Sequence, residues 1–201
     1  MSIKKGLIGW LGAFLAFDIS ILASVMLQQV SLSASIEIAK IASTFLAPPL
    51  LLLLSTMIPP NAKASLAFWR LKHALPGHRA FSKHMHNDNR IDDRWLRENI
   101  IPLPSTAREQ NVEWYRIYRK HHNEGAIQDI NKRFLLFRDL ATISFLFLII
   151  LPLILRATHT EVTVWPIILV FLIQYLMSAI AAQQMGIRLV CTALAIEASK
   201  K

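Results

Sequence analysis

Cysteine is nearly missing from this 201-residue chain: Cys191 stands alone. A single thiol excludes an intrachain disulfide framework and any Cys-based zinc cluster, and it fits a reducing compartment for at least part of the chain. Glycine is also scarce, with six residues and none in a phosphate-cradling loop, so no nucleotide-binding glycine motif is present. Charged residues make up 17%, against roughly 25% in an ordinary globular domain. Acidic residues are the scarcer sign, 13 against 22 Lys and Arg, for a net charge of +9. No alternating strand-like run, low-complexity tract or internal repeat beyond two apolar hairpins occurs.

Apolar side chains fill the space so left, at 54% of residues, and they are clustered. Residues 6–27 carry one charge, Asp18, over a length of about 33 Å at 1.5 Å per residue, enough for a hydrocarbon core of roughly 30 Å. Residues 38–58, 140–155 and 164–182 form three more such runs. Four of them in so short a chain would leave little to cover them in water, so the expected fold is all-α, with four transmembrane helices in two hairpins. The first run is longer than a typical signal-peptide core and lacks a small-residue cleavage site near Gln28, so it is expected to be retained.

Charge sets the expected topology. The links at 28–36 and 156–163 hold almost no Lys or Arg, whereas 61–138 holds fifteen against eight Asp and Glu, a local net of +7. Basic flanks stay cytoplasmic. The expected organisation is a first membrane hairpin at 1–60, a basic cytoplasmic lobe at 61–138, and a second hairpin with a cytoplasmic tail at 139–201. Both termini face the cytoplasm of a bacterial inner membrane.

Within the lobe, 64–73 reads as a short helix and Pro76-Gly77 and Asn87-Asp88-Asn89 as turns. Asp92 to Arg97 reads as a further helical turn. Thr106 and Glu109 have capping-box spacing, opening a helix that should run to about His122. Its wheel places Ala107, Asn111, Trp114, Ile117, Tyr118 and His121 on a packing face and Arg108, Arg116, Arg119 and Lys120 on a wet one. From Ala126 an apolar repeat merges into the third span as one helix of about 30 residues, and a similar overhang, 185–198, follows the fourth.

The chemistry is sparse. Ser82 near His84 has no nucleophile-elbow context. His84-x-His86 with Asp88 (or Asp92, Asp93) has nitrogen and oxygen donors for zinc or manganese, although the spacing matches no zinc motif. No cofactor is expected and catalysis is not advertised. The intramembrane polar residues Asp18, Glu37, Lys40 and Gln174 are costly in lipid and so are candidate bundle-interior or pathway groups. Pro48-Pro49 interrupts the second run. Arg116, Arg119, Lys120, Lys132 and Arg133 form a candidate binding surface for anionic lipid headgroups, nucleic acid, a nucleotide or an acidic partner.

The segments Leu75–Phe81 (LPGHRAF), Arg90-Ile91-Asp92, Glu109-Gln110-Asn111 with Trp114-Tyr115 and Tyr118, and Arg133–Asp139 (RFLLFRD) together resemble a family of uncharacterised bacterial inner-membrane proteins, to which no activity attaches. The four-span plan with a lobe also resembles membrane components of some bacterial phage-defence systems. The expected function is a non-enzymatic, membrane-anchored scaffold or sensor whose lobe binds a cytoplasmic partner or anionic ligand. The alternatives are an oligomeric channel or membrane-disrupting effector gated by the lobe, and a membrane enzyme using the histidine-rich segment. The lipid bilayer is an expected partner, as is a second copy of the chain.

Overall fold

The computed structural model describes residues 56–157 and 165–199, together with Leu53 and positions 9, 10, 12–14, 16, 18 and 20. Glu37, Lys40 and the Pro48-Pro49 interruption lie outside the described residues, as does most of the first hairpin. All regular structure among the described residues is helical. One helix there, Ile168–Ser199, is long and apolar enough to cross a membrane.

Helix α1 (Pro60–Phe68) starts on proline, whose fixed φ and missing N–H suit a first helical turn. It stops short of the expected His73 because Trp69 takes a left-handed φ of 54°; His73, at 51°, ends the exposed loop that follows. The stretch read as turns at Pro76-Gly77 is instead a 3-10 turn, Pro76–Arg79, running straight into a π-helical turn, Ala80–His84.

Helix α2 (Asp93–Asn99) is capped by Asp92, whose carboxylate accepts the Trp95 N–H at 3.0 Å. Helix α3 (Ala107–His121) opens with the full capping box: Thr106 accepts from the Glu109 N–H, and the Glu109 carboxylate accepts from the Thr106 N–H. Those backbone donors hold the Glu109 carboxyl below its ordinary pKa. The buried stripe of α3 is Gln110, Trp114, Ile117 and His121, so the packing face is rotated from the expected one, with Gln110 replacing Ala107 and Asn111 at its first position.

Helix α4 (Gly125–Ala157) runs 33 residues and α5 (Trp165–Ser199) runs 35, the continuous long helices expected at both places. The chain divides into two compact units. One holds the described positions up to Pro59 with Ile143–Tyr175; the other holds Pro60–Thr142 with the chain from Leu176 onward. The second unit thus takes in the end of α5, a stretch expected from sequence to be a cytoplasmic tail.

In the second unit, Phe81, Met85, Leu96, Ile127, Val190 and Leu194 form the buried centre. Gly186 permits close packing there: a methyl group on it would lie 2.7 Å from Phe68 Cζ and 3.3 Å from Phe134 Cε2. In the first unit, Phe145 packs on Tyr175 and Phe147 on Phe171, with ring centres 5.3 and 5.2 Å apart.

Candidate functional site

The second unit is held by side chains that join segments far apart in sequence. Gln110 is buried, and its Oε1 accepts from the backbone N–H of Phe81 (3.2 Å) and Ser82 (3.1 Å) and from the Ser82 hydroxyl (3.1 Å). Its Nε2 donates to the Ser105 carbonyl. A helical turn leaves its first N–H groups without internal partners; here one amide satisfies two of them and fixes the π-helical turn to α3. Gly77 completes that junction. A Cβ on it would stand 2.5 Å from Asn111 Oδ1 and 2.7 Å from Trp114 Cε3, so the backbone approaches α3 only because the side chain is absent.

At the far end of α3, Glu197 of α5 clasps the last turn. Lys120 Nζ lies 2.8 Å from Glu197 Oε1, and buried His121 meets the other oxygen through Nε2. Lys120 therefore does not belong to a free wet face as the wheel implied. It is half of an interhelical bridge, because it flanks the buried stripe next to His121 and its long side chain reaches Glu197 of α5. A second cluster joins buried Lys63 of α1 to Asp139 of α4 at 3.2 Å, with Arg138 on the same carboxylate oxygen at 2.9 Å.

The other members of the expected binding surface stay outside. Arg116 and Arg119 are exposed, Arg116 pairing with Glu113 at 2.6 Å. On α4, Arg133 is exposed and Lys132 lies 3.8 Å from Asp129. Along the outer face of α3, Arg108, Val112, Tyr115 and Arg119 recur at helical spacing, with Val112 62% and Tyr115 52% exposed. Tyr115 stacks on Tyr118, which stacks on buried Trp114, so the exposed ring is braced from beneath. Burial raises the pKa of the Tyr118 hydroxyl.

The expected metal donors do not converge. His86 pairs with Asp93, Asp88 is gripped by Arg90, and His84 is buried. Among the described residues, no three His, Cys, Asp or Glu side chains are grouped to hold a metal ion. The Arg90 guanidinium lowers the Asp88 pKa to about 2. Burial, aided by the positive charges of Arg79 and Lys83, lowers that of His84 to about 4.

In the first unit, two of the intramembrane candidates meet. Gln174 Nε2 donates to Asp18 Oδ2, and Asp18 is fully buried. Sequence reasoning missed Gln110, Glu197 and the Lys63–Asp139 pair. The available signals were a glutamine at an apolar wheel position and the fact that Glu197 is the only acid after Glu161.

Comparison with protein-family models, curated proteins and solved structures returned no match. The functional reading therefore rests on the geometry.

Proposed function

We propose that the chain is a multi-pass protein of a bacterial inner membrane that serves as a scaffold or sensor, its second unit recruiting an acidic cytoplasmic protein through α3. The observation that carries this reading is the exposed α3 stripe. Arginine and tyrosine dominate the energetically important positions of protein interfaces, and a braced aromatic ring between cations offers apolar area and charge together. The membrane assignment draws support from α5, which leaves Leu169, Ile173, Met177 and Ile180 exposed along its first half and buries Val190 and Leu194 in its second. The first environment suits lipid; the second is a packed interior. Lys and Arg asymmetry in the sequence orients the second unit and both termini toward the cytoplasm.

The test is site-specific photocrosslinking from position 115 in living cells, followed by mass spectrometry of the adduct. The expected result is one acidic protein whose adduct disappears in Arg116→Glu/Arg119→Glu. Adducts that are unaffected by the charge reversal would defeat the reading.

A second reading, an oligomeric channel or membrane-disrupting effector, draws support from Asp18, whose Oδ1 is buried without a hydrogen-bond partner among the described residues. Buried intramembrane carboxylates mark ion pathways and helix contacts. Ion flux in liposomes that vanishes in Asp18→Leu would favour it over the scaffold.

A further inference from the structure

Beside the π-helical turn, within the second unit, lies a cavity of about 470 Å³. Its walls come from two places in the chain: Lys83 and Asn87 from the turn and the residues after it, Gln184 and Arg188 from α5. Lys83 and Arg188 are exposed, and neither has a carboxylate partner among the described residues. The acid in the wall, Asp88, is already taken, since Arg90 Nε and Nη2 reach its two oxygens at 2.6–3.2 Å. Two cations and two side-chain amides are thus left facing one space, with no free carboxylate to oppose an anion.

His84 adds an independent sign. It lines the same cavity, is only 3% exposed, and its Nε2 has no hydrogen-bond partner among the described residues. A buried polar atom without a partner costs free energy of folding, and such atoms are rare unless something fills the gap. Cys191 backs the histidine, its thiol 3.9 Å from the His84 carbonyl. Because burial depresses its pKa, the imidazole is neutral near pH 7 and its ring nitrogen is free to accept or donate one bond.

What enters is indicated by α5. Met177, Ile180, Gln184 and Arg188 follow one another at steps of three or four and so share a stripe of the helix. Met177 is 68% and Ile180 50% exposed, both apolar, and Gln184 and Arg188 are the polar continuation of the same line. The stripe spans about 17 Å from Met177 to Arg188 at 1.5 Å per residue, so apolar contact and cationic pocket fit within one lipid molecule. We infer that this cavity binds the phosphate headgroup of an anionic phospholipid, with an acyl chain lying along Met177 and Ile180. Lys83 and Arg188 supply charge to the phosphate, Asn87 and Gln184 supply N–H donors, and His84 Nε2 gains its missing partner from the headgroup. The inference rests on the membrane reading above.

The test uses the full chain in nonionic detergent, titrated with dioctanoyl phosphatidylglycerol, dioctanoyl phosphatidylcholine or inorganic phosphate, with the melting temperature as readout. Phosphatidylglycerol should stabilise saturably and less so as salt rises. Phosphatidylcholine should do so far less. Lys83→Gln/Arg188→Gln should melt normally without lipid, both side chains being exposed, and should bind phosphatidylglycerol about tenfold more weakly. Lys83→Arg/Arg188→Lys should keep the preference. Equal stabilisation by the two lipids, or undiminished binding by the double Gln variant, would overturn the site. Inorganic phosphate stabilising as well as phosphatidylglycerol at equal concentration would overturn the lipid in favour of a free phosphate compound. Carbonate extraction of membranes reads the underlying assumption separately. A chain washed out takes the membrane reading with it, whereas a retained chain without lipid preference removes the headgroup site alone.

Discussion

Gln174 Nε2 donates a hydrogen bond to Asp18 Oδ2 at 3.3 Å across 156 residues of chain. Each residue is polar in an apolar run, and each stands out in sequence for the same reason. Together they tie the start of the chain to α5 in the first unit. The second Asp18 oxygen is buried without a partner among the described residues, where the amide satisfies one of the two carboxyl oxygens.

On the multi-pass reading proposed above, a double-mutant cycle with Asp18→Leu and Gln174→Leu should give a coupling of about 0.6 kcal/mol in detergent unfolding and no more than about 1.7, the average and maximum for hydrogen bonds between membrane helices. On the same reading, Asp18→Leu alone should insert better, because a central Asp costs about 2.5–3.5 kcal/mol on insertion scales. Additive single effects would mean that the pair does not support the fold.

In the second unit, Lys120→Glu should destabilise by about 2 kcal/mol, since it sets a carboxylate against Glu197 and leaves one acid with His121 alone. Arg116→Glu/Arg119→Glu should stay within about 0.5 kcal/mol per site. Chemical unfolding of the two variants side by side checks this. Equal losses would mean that the Lys120–Glu197 contact contributes nothing.

Gly77→Ala should cost about 1–3 kcal/mol by overpacking, because its methyl would collide with Asn111 and Trp114. Gly125→Ala, where a methyl meets nothing within 4 Å, is the control and should be neutral or slightly stabilising. The difference in melting temperature between the two variants is the measurement.

Stability should also fall on mild acidification. His84 takes a proton in the unfolded chain near 6.5 but in the folded one only near 4. Between those values the unfolded state holds more protons, so the contribution is complete above pH 6.5 and gone below about 4. A gap of that size corresponds to on the order of 3 kcal/mol. His84→Phe should flatten the melting temperature across this window. It should leave the separate loss between about pH 3.8 and 2, where Asp88 is protonated and releases Arg90. An unchanged slope would assign the upper window to another group.

The helices were legible where their causes are local. Thr106 and Glu109 are three residues apart, and their reciprocal bonds could be read from that spacing alone. The continuous runs of α4 and α5 followed from unbroken apolar patterns. What escaped reading depends on partners far along the chain. Nothing near Lys120 announces Glu197, 77 residues away, and a wheel drawn for α3 by itself makes that lysine a solvent group. Gln110 was hidden for the same reason, since its value lies in the orphan N–H groups of a turn 28–29 residues earlier. The π-helical turn itself was obscured by Pro76 and Gly77, which resemble an ordinary turn until Trp114 is seen to occupy the space a side chain would need.

Gln110 has a consequence for how the second unit opens. Its amide oxygen accepts the Phe81 and Ser82 N–H groups from a different element, so freeing either proton breaks a contact with α3. Opening of the π-helical turn or of the start of α3 then exposes the same two protons to deuterium exchange, which makes the pair a shared report on both elements.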